Sequence, residues 1–302
     1  VNLQLAVGPL RADGYHELVT VFHAVSLFDE VTVRSADRTS VRVSGAEAAA
    51  VPAGGANLAV RAAAALARAA RPRGASSAVA IEIRKRIPVA GGLAGGSADA
   101  AAALVACNEL WQAGLSAAEL GAVAAGVGSD VAFALLGGTA VGRGRGEQLT
   151  VALAAGIYHW VLAFSSGGLS TPDVYAACDR LRAARAAGLA AGAPAPRLST
   201  ELMVALRSAD PAAVGPLLSN DLQPAALSLR PELRRTLAAG RELGAVGAMV
   251  SGSGPTCAFL ATDARHARDL AVSLTGAGVC RGVAGCRGPV HGATVIPAAE
   301  HG

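Results

Sequence analysis

Apolar and polar positions along this chain follow two periods in turn. Val1 to Val7 (VNLQLAV) places apolar side chains at every second position, and Val19 to Leu27 and the region from Glu30 to Val43 are similarly rich in alternating β-branched residues. That alternation predicts strands with one face on a core. The polar segment Arg11-Ala12-Asp13-Gly14-Tyr15-His16 between the first two reads as a turn. Asn57 to Ala70 is an alanine-rich stretch that predicts a helix, with Asn57 placed to cap it. Val79 to Arg86 returns to a strand. Helices are predicted from Ser97 to Gln112 and from Ser116 to Ala125, and Ser97 and Asp99 suit the start of the first by capping and by the helix dipole. A short glycine-bounded strand, Gly138 to Gly142, follows.

The pattern then restarts. His159 to Phe164 is an apolar strand and Thr171 to Ala186 a helix, and Ala187 to Pro196 (AGLAAGAPAP) has the composition of a linker. Helical pieces run on to about Gly240. Val246 to Val250 and Thr256 to Leu260 read as strands around a second glycine turn, Asp263 to Leu274 as a helix, and the tail as a strand. No internal repeat is evident. Two successive mixed sets predict an α+β protein of two domains, residues 1–154 and 155–302.

Composition removes several function classes. Of 302 residues, 52% are hydrophobic types but only 3% are aromatic, so alanine and the 37 glycines account for much of the apolar share. No run of about 18 uninterrupted apolar residues suggests a membrane helix. Nothing at the start resembles a secretory leader. A net charge of +4, with no block of basic residues and few aromatics, gives no footprint for nucleic acid. The five cysteines, Cys107, Cys178, Cys257, Cys280 and Cys286, form no C-x-x-C pair, and the expectation is reduced, mostly buried thiols in a cytoplasmic protein. Lys85 is the single lysine; every other basic residue except the histidines is arginine.

Chemistry concentrates in the segment Pro88-Val89-Ala90-Gly91-Gly92-Leu93-Ala94-Gly95-Gly96-Ser97-Ala98-Asp99-Ala100, between a strand ending in Arg84-Lys85-Arg86 and a helix. Glycines let consecutive N–H groups turn inward, and the free N–H groups of a helix start add positive charge, so the segment suits a polyphosphate. The pattern G-x-x-x-x-G-K-[ST] fails for want of a lysine after Gly96, and GGLAGG does not fit G-x-G-x-x-G. Ser251-Gly252-Ser253-Gly254-Pro255-Thr256 is a second glycine–serine turn; it is no nucleophile elbow, because Ser251 stands where glycine is required. Either a phosphate contact or a plain structural turn accounts for it. Asp130, after Gly128-Ser129, suits a helix cap or a chemical role. Tyr15 beside His16 offers a stacking face with hydrogen-bonding groups, on what is otherwise a solvated turn.

Together, in this order, these motifs resemble the GHMP kinases, named for galactokinase, homoserine kinase, mevalonate kinase and phosphomevalonate kinase. The resemblance covers nearly the whole chain and includes the opening V-N-L, RADGYH, GSDVAF and Ser219-Asn220-Asp221-Leu222. It implies a ribosomal protein S5 domain 2-like N-terminal domain and a ferredoxin-like C-terminal domain. It implies transfer of the γ-phosphate of ATP to a small-molecule alcohol, with Mg²⁺, and Asp130 as the base that takes the hydroxyl proton. Lys85, Pro88, Gly91, Gly92, Leu93, Ala94, Gly95, Gly96 and Ser97 would form the ATP site, with Ser97 a candidate for Mg²⁺. Tyr15, His16 and Tyr175 would hold the cytosine of a cytidine diphosphate-linked alcohol, Asn2 would lie near the transferred phosphate, and Gly252, Ser253, Gly254 and Thr256 would complete the substrate site. A homoserine- or mevalonate-type alcohol is the alternative substrate, and nucleotide binding without transfer the alternative function. The expected protein is a monomer or homodimer with neither nucleic acid nor membrane among its partners.

Two departures from the family pattern stand out. The family carries a lysine directly before V-N-L, and the expectation is that native residues including this lysine precede Val1. Ala132 stands where the family usually has proline, a change expected to affect loop rigidity more than chemistry.

Overall fold

The structure is a computed structural model that describes residues 1–70, 77–186 and 195–296. In chain order its first half runs β1 (Asn2–Leu10), β2 (His16–His23), β3 (Glu30–Ser35), β4 (Ser40–Ser44), α1 (Leu58–Ala70), β5 (Val79–Arg84), α2 (Gly95–Leu110), α3 (Ala117–Val127), α4 (Ser129–Leu136), β6 (Thr139–Gly144) and β7 (Gln148–Val151). The second half follows with β8 (Tyr158–Phe164), α5 (Thr171–Ala186), α6 (Thr200–Ala205), α7 (Pro211–Val214), β9 (Ser219–Asn220), α8 (Gln223–Leu229), α9 (Leu233–Glu242), β10 (Gly247–Val250), β11 (Cys257–Ala261), α10 (Ala264–Gly276) and β12 (Gly282–Gly288). Residues 187–194 of the linker-like stretch lie outside the described residues.

The described residues divide into two compact units that do not follow a single cut in the chain. Residues 1–27, 90–93 and 138–290 form the first, and residues 28–89, 94–137 and those from 291 onward form the second. The glycine-rich segment is thus shared: 90–93 belong to the first unit and 94–97 to the second.

The first unit contains two sheets. One has the order β7-β6-β2-β1-β9, antiparallel except for the short parallel pair of β1 with β9. The other has the order β10-β11-β8-β12 and is antiparallel throughout. With helices between β8 and β10 and between β11 and β12, this second sheet has the split βαβ arrangement of a ferredoxin-like domain. Strand β8 explains its uninterrupted apolar sequence by being covered on both faces. Trp160 and Leu162 join a cluster with Leu3, Val21, Leu202 and Leu206, while Val161 and Ala163 turn the other way onto Leu237, Phe259, Leu270 and Leu274.

In the second unit, β5 lies between β3, antiparallel to it, and β4, parallel to it. On α1, Ala59, Ala62, Ala63 and Leu66 are buried at the spacing of one helical face, and on α2, Ala100, Ala101, Ala103, Leu104 and Cys107 are buried. Small side chains on both surfaces permit close helix packing, which gives the high alanine content a physical purpose.

Several predicted elements start or stop elsewhere. Helix α2 begins at Gly95, so Ser97 and Asp99 lie inside its first turns and neither caps it; Ala94, left-handed at φ 54°, occupies the cap position without a side-chain bond. Asn57, by contrast, caps α1 as its sequence suggests, accepting a hydrogen bond from Ala59 N at 2.9 Å. Ala132 is buried within α4, a helix and not a loop. None of the described helices is long and apolar enough to cross a membrane. Four of the cysteines are buried and Cys280 is half-buried, all unpaired.

Candidate active site

In the second unit the start of α2 presents free backbone donors. Its first-turn carbonyl bonds begin at Ser97 and Ala98, which both donate to Ala94 O at 3.0 Å. Among the described residues the amides of Gly95 and Gly96 meet no acceptor, and the Ser97 hydroxyl is also unpartnered. Free N–H groups at the positive end of a 16-residue helix attract phosphate oxygens. A hydroxyl oxygen beside them is a hard donor of the kind Mg²⁺ accepts alongside phosphate and water, so the residues present fit that ion. No cluster of three His, Cys, Asp or Glu among the described residues could hold a metal by itself.

Lys85 is not free beside this helix start. Its Nζ donates to Asp29 Oδ2 at 2.5 Å and to Asp99 Oδ2 at 2.9 Å, in a cluster buried on all sides. Asp29 Oδ1 accepts from the amides of Arg86 (2.6 Å) and Ile87 (2.9 Å), and Val89 N donates to Glu47 at 2.6 Å. Burial pushes the Asp99 carboxyl up to about 7 despite the neighbouring ammonium, and its Oδ1 has no partner. Pro88 is half-buried in the same stretch.

Asp130 is the second residue of α4, whose N-cap, Gly128, has an extended backbone and no side-chain cap. The carboxylate therefore does not cap the helix, and it has no hydrogen bond or ion pair among the described residues. Its residue surface is exposed, yet desolvation still raises the carboxyl above the ordinary carboxylate range. A small molecule can reach this carboxyl, and its surroundings disfavour the charged form. Such a group is a stronger base than a free aspartate.

In the first unit, the two glycine segments lock together. Ser251 donates its hydroxyl to Gly92 O (3.1 Å) and Thr256 N donates to Gly91 O (3.2 Å). Gly92 has φ +73°, and a Cβ there would lie 2.4 Å from Ser251 O, so only glycine fits. Ser251 and Thr256 are buried; the Ser253 hydroxyl meets that of Thr171 at 3.0 Å. Gly252 and Gly254, both at positive φ, complete the turn, and Leu93 packs on the adjoining core. Asn220 Nδ2 donates to the carbonyls of Val250 (2.8 Å) and Gly252 (2.7 Å), which anchors the turn from β9. Asn2 Nδ2 donates to Thr20 Oγ1 at 2.8 Å, and the Asn2 Oδ1 lies 3.5 Å from where a Cβ of Gly252 would be.

The aromatic group is also in the first unit. The His16 ring stacks on Tyr175 with centroids 5.1 Å apart and planes 25° apart. Its Nδ1 lies 2.9 Å from Gly8 O, which makes it a donor, and its Nε2 lies 3.3 Å from Asp179 Oδ2. His16 is buried, whereas Tyr15 is exposed with the Arg145 guanidinium 4.9 Å from its ring centre. The sequence pairing of Tyr15 with His16 thus divides into an outer ring and an inner support.

Sequence reasoning missed Asp29, Asp99, Asp179 and Asn220 as side chains of the site. Asn220 lay within a family-like segment, and Asp99 within the glycine motif; Asp29 and Asp179 had no local signal at all.

Comparison with known proteins follows the same lines. A family model described as the N-terminal domain of GHMP kinases matches residues 57–138, and one for the GHMP kinase C-terminal domain matches residues 202–279. The chain is 58% identical over 298 residues to a 4-diphosphocytidyl-2-C-methyl-D-erythritol kinase of Mycolicibacterium smegmatis, covering 99% of this chain and 90% of the relative. It is 54% identical over 304 residues to the kinase of the same name from Thermobifida fusca, covering 98% and 95%. Among solved structures, a 4-(cytidine 5'-diphospho)-2C-methyl-D-erythritol kinase aligns with TM-score 0.73 and 34% identity over 95% of this chain and 96% of that one. Homoserine kinase from Cytophaga hutchinsonii aligns with TM-score 0.68 over 97% and 96% at 19% identity, a likeness of fold.

Proposed function

This chain belongs to the GHMP kinase family, and on that premise we propose that it phosphorylates the 2-hydroxyl of 4-diphosphocytidyl-2-C-methyl-D-erythritol with ATP, a step of non-mevalonate isoprenoid precursor synthesis. The observation that carries this reading is likeness over almost the whole chain, at 58% identity, to a relative of that name. The division into residues 1–154 and 155–302 belongs to the same reading, since the two family models fall on either side of it.

In the reaction the substrate oxygen attacks the γ-phosphorus, the bond from that phosphorus to the β–γ bridging oxygen breaks, and ADP leaves. Asp130 takes the hydroxyl proton, and its raised affinity for protons favours that transfer. The unpartnered amides of Gly95 and Gly96 and the hydroxyl of Ser97 receive phosphate oxygens, which are held by position and charge more than by covalent chemistry. Ser97 is also the residue that would hold Mg²⁺, whose contribution when bound is to neutralise phosphate charge.

Gly91, Gly92, Leu93 and Ala94 shape the loop that leads to these amides, and Lys85 and Pro88 stand at its entry. Tyr15 and Tyr175 supply the aromatic surfaces for cytosine, His16 supports Tyr175, and Asn2 with the turn from Gly252 to Thr256 completes the alcohol side. The reaction takes place in the cytoplasm.

One assay tests the proposal. The protein is incubated with ATP, Mg²⁺ and the cytidyl alcohol, and a phosphomonoester at the 2-position is sought. Homoserine and mevalonate replace the alcohol in parallel. Turnover of one of those in preference to the cytidyl alcohol would overturn the substrate, and ATP binding without any product would overturn the transferase reading.

A further inference from the structure

The only lysine in the chain is enclosed by two carboxylates. Lys85, Asp29 and Asp99 have side-chain exposures of 4%, 2% and 3%, and Lys85 Nζ bonds both acids at 2.5 and 2.9 Å. A buried ammonium committed in this way would have to give up strong, desolvated partners before touching any ligand.

Each member fixes a different stretch of backbone. Asp29, from the link between β2 and β3, also holds the amides of Arg86 and Ile87, the two residues that follow Lys85 toward the glycine loop. Asp99 lies in the opening turns of α2, on the far side of that loop. The helix start rests directly on the ammonium: a Cβ on Gly95 would lie 3.1 Å from Lys85 Nζ and 3.0 Å from Ile87 Cγ2. An ammonium alone beneath the positive end of a helix would repel it, and two carboxylates reverse the sign of the local charge. Support is needed here, because Ala94 at the cap position holds a left-handed φ of 54° that costs an alanine about 1–2 kcal/mol, with no side-chain cap to offset it.

We propose that Asp29, Lys85 and Asp99 form a buried strut that fixes the first turn of α2 relative to the end of β5, so that Lys85 acts on the nucleotide through the helix start and not by direct contact. The three are positioning residues. The proposal rests on the reading of that helix start as the ATP phosphate site, and it changes the part assigned there to Lys85.

The test uses the full chain with D29N, D99N, K85M and the triple variant D29N/K85M/D99N. ATP affinity is measured by calorimetry, kinetics for both substrates by product formation, and backbone order by amide exchange at Ser97 and Ala98. D29N and D99N should each weaken ATP by about tenfold, with KM for the cytidyl alcohol within about twofold of wild type, because displacement of a positioned group costs the ligand it serves. Exchange at Ser97 and Ala98 should quicken by about tenfold in the same variants. The triple variant leaves no unpaired buried charge, so it should fold where K85M does not, yet still bind ATP weakly. The proposal is overturned if folded D29N and D99N bind ATP as wild type does, or if weakening is confined to variants lacking Lys85, which would make the lysine a direct ligand. Wild-type protein that binds no ATP would defeat the nucleotide reading alone; unchanged exchange in the variants would then overturn the strut, and faster exchange would support it.

Discussion

Ser251 and Gly92, 159 positions apart, are joined by a hydroxyl-to-carbonyl hydrogen bond of 3.1 Å. Through it the second glycine turn of the sequence braces the first. Gly92→Ala would drive a Cβ against Ser251 O at 2.4 Å from a backbone that already requires positive φ. We expect a loss of about 2–4 kcal/mol in urea denaturation. Ser251→Ala, which removes the bond and adds no bulk, should cost about 1 kcal/mol. Equal losses from the two substitutions would contradict the close approach.

Asp130 gives a prediction in pH. A carboxyl raised by desolvation must be ionised to accept a proton, so kcat should be retained above its raised pKa and fall as the pH drops through it. The acid limb should therefore lie above the range of an ordinary aspartate. Asp130→Asn should lower kcat by about 10²–10⁴-fold while ATP affinity changes by less than about threefold. A variant with normal turnover would remove Asp130 from the base role.

Tyr175 and His16 predict a separable binding term. Loss of an aromatic surface for a base costs about 1–3 kcal/mol, so Tyr175→Ala should raise KM for the cytidyl alcohol by about 5–150-fold. KM for ATP should not move. An Asp179→Asn variant, which weakens the hold on His16 at 3.3 Å, should give a smaller rise of the same kind. Steady-state kinetics with each substrate varied in turn distinguishes the two.

His23 sets an acid limit on stability. It is fully buried, its Nδ1 lies 2.9 Å from Thr139 Oγ1, and burial lowers its pKa from 6.5 to about 3. The unfolded chain therefore binds a proton below pH 6.5 that the folded chain refuses until about pH 3. Stability from this group is complete above pH 6.5 and declines as the pH falls, by about 2 kcal/mol at pH 5. Denaturation midpoints at pH 7 and pH 5 should diverge for wild type and converge for His23→Gln.

Much of this was legible in residue patterns because those patterns report burial. The alternation in Val1 to Val7 marks the faces of β1, and the apolar run of β8 marks a strand covered on both sides. Asn57 signalled its cap because a side-chain oxygen does that work. The start of α2 could not be read in the same way, since an alanine in the left-handed region carries no local signature. Strand β9, two residues long, exists by pairing with β1, and no short window reveals a partner so distant. Within the candidate site, the glycines signalled tight backbone turns, and Gly92 does stand at positive φ against the second turn. What stayed hidden were carboxylates whose meaning depends on a neighbour in space: Asp29 and Asp179 look like surface acids until Lys85 and His16 are found beside them.

The enclosed position of Lys85 reaches beyond the reaction. Among residues 1–302 the other cations are arginines and histidines, and the one lysine amine, that of Lys85, is enclosed. Modification of Lys85 by an amine-directed probe would require the second unit to open, and its labelling rate would serve as a built-in clock for that opening.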